Sequence, residues 1–361
     1  RQMCIRDRLQ TDHGQIQVGE FHHNGDFING SNGNASEHAV FKGPLGFSFD
    51  IRDTFAVPDI ARNAEMMNEA WQRSQYACDV DGIVSVDPVF IQKMVEINGN
   101  VTLENGTVLT SENTAEYMLN TIYKEVPVSL QDTYFEYIAS TIMNKAFSNM
   151  DIAKMMKVAQ SIGELTKNRH FYAYTFHDDE AKYFQGAGLA KGTPDSETDP
   201  EVGIYLNEQN PSKLGWYIDR KAQITKTGQN ADGSKTYHVT YTLTNTLTSS
   251  EMATCTGYIL GGEQAGVTGK PVAAPGTSAQ RMLFYAPKGG SISEITSSGD
   301  VRDQSNAVMD DQKLVTNVAY IAPGESVTFD FDVTTSPKAE SDLTIDQTPS
   351  GKLTNEVNYQ Y

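Results

Sequence analysis

The sequence predicts an α/β domain, with a mixed sheet and flanking helices, followed by an all-β, sandwich-like domain. Residues 47–87 pass from strand-like alternation to helical spacing and then to a short apolar run, which is typical of a strand–helix–strand unit. From Tyr217 onward the helical spacing disappears, and short alternating segments recur between turn signals. We therefore predict the α/β domain at residues 9–215 and the β-sandwich at residues 216–361.

Length and charge restrict the class of protein. A chain of 361 residues is long enough for two domains. Its net charge of −18 argues against nucleic acid as a partner, because phosphates require a basic surface. The sequence contains neither a run of about 18 apolar residues, which a membrane-spanning helix needs, nor a signal peptide.

The first eight residues, RQMCIRDR, resemble the translation of a sequencing adapter. We therefore predict that residues 1–8 are an artefact and make no ordered contacts, so that Met3 and Ile5 stay outside any core. On this interpretation the natural chain starts upstream of Leu9, and its missing part could hold a membrane anchor. The remaining cysteines, Cys78 and Cys255, lack the spacing of a metal or redox site.

The central unit contains the strongest candidate site. Alternation at residues 47–51 predicts a strand that ends in a polar turn at Arg52 and Asp53, and Asp59 can cap the helix that follows. A second strand at residues 83–86 would pair in parallel with the first through a right-handed crossover. Because ligands in open α/β sheets bind beyond the carboxyl ends of strands, Arg52 and Asp53 are candidate site residues.

The remaining elements follow from spacing and turn signals. Residues 24–46 are predicted to be a long loop, and Asn113 with Glu116 resembles a capping box. Other strands, including a hairpin, are predicted at residues 15–21, 101–103, 107–109 and 169–175, and helices at 88–97, 113–123, 130–148 and 151–167. Two of these helices carry stripes predicted to face the core: Phe135, Ile138, Ile142 and Ala146 in one, and Ile152, Met156, Ala159 and Ile162 in the other.

The predicted sandwich consists of short strands separated by turns. They are expected at residues 222–227, 237–245, 280–286, 315–321 and 326–334. The tail from Pro337 keeps a polar alternation and is expected to supply edge strands. The acidic group that begins at His177 could hold a cation, but acidic residues at the start of a helix also explain it.

Several segments resemble domain-of-unknown-function family 4012, which occurs in envelope-associated proteins of Gram-positive bacteria. They are FDIRDTFAVPDIARNAEMM, VDGIVSVDPVFIQKMVEINGNVTL, LTSENTAEYML and KLGWYIDR, within residues 15–322. This resemblance implies an extracytoplasmic protein at the cell surface, tethered to the membrane through an N-terminal segment.

The turn IRDTFAVP is also similar to the signature of the LytR-CpsA-Psr phosphotransferases, which attach glycopolymers to peptidoglycan. The likeness implies a phosphate clamp at Arg52, a role for Asp53 in orienting a cation or the arginine, and Arg169 as a second ligand-binding cation. It also implies a polyprenyl-pyrophosphate-linked glycan or cell-wall polymer as partner, with Mg²⁺ as cofactor of any transfer. The chain departs from that family at Ile51, where the family has proline, and the earlier arginine and aspartate of the family are missing.

Two alternatives therefore stay open at the level of the sequence. The protein is either a phosphotransferase-like enzyme or a non-catalytic surface module that binds envelope glycan or protein. Likewise, the pair formed by Arg52 and Asp53 is either a phosphate site or a buried salt bridge that fixes the turn.

Overall fold

The computed structural model describes residues 6–12, 15–22, 24–27, 35–148, 151–261 and 270–361. The chain forms two compact units. The first unit comprises residues 1–34, 50–191 and 351–353, and the second comprises residues 35–49, 192–350 and 354–361. The predicted fold class is confirmed, because helices with short sheets precede a β-rich region.

The first unit consists mainly of helices with three two-stranded sheets. Its helices are α2 (Ile60–Gln72), α3 (Pro88–Asn98), α4 (Thr114–Glu116), α5 (Ile122–Glu125), α6 (Val128–Ser148), α7 (Ile152–Lys167) and α8 (Asp178–Gly186). A π-helix at Tyr117–Thr121 joins α4 to α5, and 3-10 helices lie at Asn24–Phe27 and Ile51–Ala56. The strands are β1 (Arg6–Asp12), β2 (Gln15–His22), β3 (Gly82–Val86), β4 (Val101–Thr102), β5 (Val108–Leu109) and β6 (Phe171–Thr175).

Aspartates cap three helices of the first unit. The side chain of Asp59 accepts a hydrogen bond from the backbone of Arg62, and Asp151 caps α7 in the same way. Asp87 accepts from two backbone N–H groups of α3, which begins with Pro88 at its first position. These caps follow from residues adjacent in sequence, and the predicted starts of α2, α3 and α7 are therefore confirmed.

The strand predicted at residues 47–51 is absent, and a 3-10 helix begins at Ile51 instead. The side chain of Asp50 accepts from the backbone N–H of Arg52, which turns the chain into this helix. The alternating apolar residues also serve different cores: Phe49 contacts Phe41 in the second unit, whereas Ile51 packs in the first. Arg52 and Asp53 thus lie in a helical turn and not beyond a strand.

The predicted parallel pair is also wrong. Strand β3 forms at Gly82–Val86 as expected, but it pairs antiparallel with β6, and the two make a separate sheet. Val84 and Val86 are 49% and 40% exposed, so β3 is not the buried strand that its apolar run predicted. The other predicted hairpin, β4 with β5, is confirmed.

Of the two stripes predicted to face the core, one is buried and the other is largely exposed. The α6 stripe, Phe135, Ile138, Ile142 and Ala146, is fully buried as predicted. The prediction that the α7 stripe faces the core is wrong, because Ile152 and Met156 are 78% and 58% exposed. Helix α7 is anchored instead by Leu165 and Thr166, which are buried in its last turn.

Three smaller expectations also fail. Residues 6–8 belong to β1, which pairs with β2, so this part of the N-terminus makes ordered backbone contacts; Met3 and Ile5 lie outside the described residues. The loop predicted at residues 24–46 contains the helix α1 (Ala35–Val40) and a π-helix at Phe41–Leu45. Asn113 forms no capping box, because its side chain accepts from Thr110 instead.

The second unit is a sandwich of two sheets with helical segments. Its strands are β7 (Glu201–Glu208), β8 (Ile218–Gln229), β9 (Lys235–Asn245), β10 (Ser278–Tyr285), β11 (Ser291–Ile292), β12 (Thr296–Ser298), β13 (Asp300–Met309), β14 (Gln312–Ile321), β15 (Ser326–Thr334), β16 (Thr344–Gln347) and β17 (Glu356–Gln360). The helices are α1, α9 (Ser249–Thr254) and α10 (Gly257–Leu260), with a 3-10 helix at Leu214–Tyr217.

One sheet runs in the order β13-β14-β10-β7-β16, and the other in the order β11-β15-β9-β8-β17, with β12 also on β15. Their facing side chains form a single buried core, to which Phe284 contributes from one sheet and Tyr241 and Phe329 from the other. All five predicted sandwich strands form, and the tail supplies β16 and β17 at sheet edges as expected.

The change from mixed to β structure lies earlier than residue 215. Strand β7 already pairs with β10 and β16, and the compact units separate between residues 191 and 192. The sequence analysis missed this strand because residues 202–206 form a continuous buried run without alternation.

Candidate functional site

Arg52 forms a two-point ion pair with Asp50 within the same turn. Its Nε donates to one oxygen of the Asp50 carboxylate at 2.9 Å, and its Nη2 donates to the other. The two side chains are 26% and 19% exposed, so the pair lies at the surface of the first unit. A carboxylate bound in this way occupies the geometry in which a guanidinium group also binds phosphate.

Buried polar residues follow this pair in the sequence. Asp53 is 8% exposed, and its backbone N–H donates to the carbonyl of Asp50. Thr54 and Asn63 are buried, and the Asn63 amide nitrogen donates to the carbonyl of Val57. Among the described residues, Thr54 Oγ1 and Asn63 Oδ1 find no hydrogen-bond partner. Buried polar atoms are normally satisfied, so these two atoms call for a ligand or a water molecule.

Arg169 reaches the same turn from another part of the sequence. Its side chain is 4% exposed, and its Nη1 donates to the carbonyl of Pro58 at 3.1 Å and to the hydroxyl of Tyr172 at 3.3 Å. The ring of Tyr172 stacks on Phe55. Arg169 thus holds the Arg52 turn from inside the first unit, whereas Arg52 lies closer to solvent.

The backbone of Arg169 is itself unusual. Its φ of +63° lies in the left-handed region, which a residue with a side chain rarely occupies. This conformation belongs to the cap that ends α7, because the backbone N–H of Arg169 donates to the carbonyl of Thr166 and that of His170 donates to the carbonyl of Leu165.

Beside Arg169 lies a buried ion pair that the sequence analysis did not predict. His170 is 2% exposed; its Nδ1 lies 2.7 Å from Asp87 Oδ2, and its Nε2 lies 2.9 Å from the carbonyl of Leu353. Burial lowers the pKa of the imidazole, but hydrogen bonding and charge attraction from Asp87 outweigh it, so the pKa is raised above the usual value. Since both partners are acceptors, the geometry favours the doubly protonated ring.

Arg52 and Asp53 lie together in the 3-10 helix Ile51–Ala56, whereas Arg169 contacts the carbonyl of Pro58, which lies just beyond that helix. Arg52 is partly exposed, whereas Asp53 and Arg169 are buried. The partner of Arg52, Asp50, was missed, although its position two residues earlier was a usable signal. The same spacing forms the same two-point pair between Asp300 and Arg302 in the second unit.

A magnesium ion fits this turn only in part. Asp53, Thr54 and Asn63 supply oxygen atoms, which Mg²⁺ prefers, but only one of them is a carboxylate. The described residues contain no group of three or more histidine, cysteine, aspartate or glutamate side chains that could hold a metal ion. Mg²⁺ commonly binds through one or two carboxylates together with substrate phosphate, so these residues fit an ion that a phosphorylated ligand also coordinates.

No helix in the described part of the chain has both the length and the apolar character to cross a bilayer. The acidic residues that begin α8 lie in its first turn, as the alternative to a cation site predicted.

Comparison with known proteins finds a family match for part of the chain. Residues 7–123 match the family model described as protein of unknown function (DUF4012). This match supports the resemblance to family 4012 that the sequence segments indicated. It does not extend to the LytR-CpsA-Psr phosphotransferases.

No curated protein matches the chain. One similar solved structure is a candidate nutrient binding protein of Legionella pneumophila, at 12% identity and a TM-score of 0.21. The likeness covers 38% of this chain and 44% of that one, so this chain spans less than half of that protein.

Proposed function

We propose that this chain is a cell-envelope protein, displayed outside the cytoplasm, that binds a phosphate-bearing envelope glycan through Arg52. The ligand class is a polyprenyl-pyrophosphate-linked glycan or a phosphorylated cell-wall polymer. In this account the ligand phosphate replaces Asp50 on the Arg52 guanidinium group. The match of residues 7–123 to family 4012 supports the envelope assignment through the family resemblance.

One observation carries the proposal: a partly exposed arginine holds a carboxylate at two points on a turn that buried groups fix. Arg52 and Asp50 can separate without unpacking a core, because both reach the surface. The turn itself is held by the contact of Arg169 with Pro58. A positioned guanidinium with a displaceable carboxylate is a suitable recognition group for phosphate.

A second candidate function, transfer of the phosphorylated glycan, is favoured by the oxygen atoms of the buried residues that follow Arg52. Asp53, Thr54 and Asn63 could hold Mg²⁺ when a pyrophosphate ligand is bound. The glycan phosphoryl group would pass to a hydroxyl of the acceptor cell-wall polymer, and the ion would neutralise charge on the polyprenyl phosphate that leaves. In this version Arg52 binds the transferred phosphate, while Asp53 positions the ion. A non-catalytic module needs only the phosphate-binding role of Arg52.

The test of the binding function is calorimetric titration of the folded chain with farnesyl pyrophosphate. Arg52→Ala and Arg52→Lys should each weaken binding by about 10- to 100-fold, because a charged hydrogen-bond pair contributes about 1.5–3 kcal/mol and lysine cannot bind at two points. Asp50→Asn should strengthen binding by roughly two- to five-fold, because it removes a competitor whose surface ion pair contributes up to about 1 kcal/mol. Asparagine can still cap the turn, so folding is preserved.

The matched control is Asp300→Asn, which releases Arg302 from the same type of pair on β13 and should leave the affinity unchanged. Unchanged affinity in a stably folded Arg52→Ala protein would refute the proposed site. Equal gains in affinity from Asp50→Asn and Asp300→Asn would show that any arginine released from its carboxylate binds farnesyl pyrophosphate.

The proposed role of Asp53 in holding Mg²⁺ is tested separately by adding Mg²⁺ to the same titration. If the phosphotransferase version holds, Mg²⁺ should strengthen farnesyl pyrophosphate binding in the wild type but not in Asp53→Asn. A Mg²⁺ effect of equal size in both proteins would leave the binding function standing and exclude the role of Asp53.

A further inference from the structure

Helix α7 exposes an apolar face that no other part of the described chain covers. Ile152, Met155 and Met156 are 78%, 57% and 58% exposed, and Ala159 is exposed as well. These positions follow the i, i+3, i+4, i+7 spacing, so they lie on one side of the helix. We call these four residues the Ile152 face.

The charge of α7 differs in sign from that of the whole protein. Lys154, Lys157 and Lys167 oppose only Glu164 within the helix, which leaves it at +2 (three minus one), whereas the chain carries −18. Its first two turns, IAKMMKVA, contain two lysines and no acidic residue. A cationic helix with an exposed apolar face is the pattern of helices that lie in the interface of an anionic bilayer.

Size argues against a protein partner of ordinary type. The Ile152 face consists of four residues, whereas each partner contributes about 20–30 residues to a stable interface. A bilayer requires no matching shape, because insertion depends on apolar area and on attraction between lysine and anionic headgroups.

We propose that the Ile152 face of α7 rests on the surface of a membrane with anionic headgroups. Ile152, Met155 and Met156 enter the boundary between headgroups and acyl chains, while Lys157, on the other side of the helix, attracts the anionic surface from the solvent side. This contact is peripheral, and it goes beyond the proposed function because it needs neither Arg52 nor a glycan. Arg169 follows the opposite end of α7, so the contact would hold the Arg169 end of the helix within one helix length, ~24 Å, of the bilayer.

The test is co-sedimentation of the full chain with vesicles of equal parts phosphatidylglycerol and phosphatidylcholine. We expect binding that falls at high salt and is much weaker on pure phosphatidylcholine. Met156→Glu should reduce binding more than ten-fold, and Lys157→Gln by roughly five-fold, the contribution of one lysine near an anionic surface. Val308→Glu makes a matched change at a residue that is 58% exposed on β13 and should have no effect.

Arg52→Ala separates this proposal from the proposed function. Vesicle binding should be unchanged in that variant, because the Ile152 face is intact. Equal binding by wild type and Met156→Glu, or no binding by either, would overturn the membrane contact. A concentration-dependent dimer that Met156→Glu abolishes would also overturn it, in favour of a second copy on this face.

Discussion

At the scale of single residues, the buried pair of His170 and Asp87 links three segments of the first unit. One oxygen of Asp87 caps α3, and the other accepts from His170, whose second nitrogen bonds to the carbonyl of Leu353. Only a protonated imidazole can donate at both nitrogens at once. The stability of this arrangement should therefore depend on pH.

The direction of this pH dependence follows from the raised pKa of His170. A group whose pKa is higher in the folded state contributes stability that is complete below its unfolded pKa of about 6.5 and is lost as pH rises through the folded value. The difference in unfolding free energy between wild type and His170→Gln should thus be larger at pH 5.5 than at pH 9. Urea unfolding at both values measures it, and a constant difference would show that His170 is neutral.

The candidate site was only partly predictable at this scale. The Arg-Asp turn stands out in the sequence because its residues are adjacent, and likeness to a signature identified Arg52 and Asp53. The contacts of Arg169 with Pro58 and of His170 with Asp87 join positions 111 and 83 residues apart. Spacing alone contains no information about such pairs, since tertiary packing creates them.

At the scale of secondary-structure elements, local signals predicted three helix starts correctly but failed at Asn113 and at residues 47–51. The starts of α2, α3 and α7 follow from aspartates next to the first turn. The strand at residues 47–51 fails because Asp50 serves as a cap, a competing use of the same polar residue. The exposed face of α7 could not be predicted, because amphipathic spacing gives a stripe but not what covers it.

The cap of α2 offers a direct test at this scale. Asp59→Ala should lower the free energy of unfolding by about 1 kcal/mol, because the backbone N–H of Arg62 loses its acceptor. Asp59→Asn should cost much less, since asparagine retains the acceptor oxygen. Denaturant unfolding compares the two variants, and equal losses would mean that the charge and not the hydrogen bond supports the helix.

At the scale of the whole molecule, most strands of the β-sandwich were predictable, whereas the pairing of β3 with β6 in the first unit was not. Period-two alternation predicts β9 and β15 closely, and these strands pair with each other along their full lengths. Antiparallel neighbours with one buried face leave a repeating sequence signal. In the first unit the strands are short and their pairing is non-local, so alternation and turn signals did not determine the antiparallel β3–β6 sheet.

The central claim is that Arg52 exchanges Asp50 for the phosphate of an envelope glycan. The most direct measurement is a crystal structure of the chain with farnesyl pyrophosphate bound. The account predicts phosphate oxygens at about 2.7–2.9 Å from the guanidinium nitrogens of Arg52, with the Asp50 carboxylate displaced. A complex in which Asp50 still holds Arg52 and the ligand lies elsewhere would contradict it.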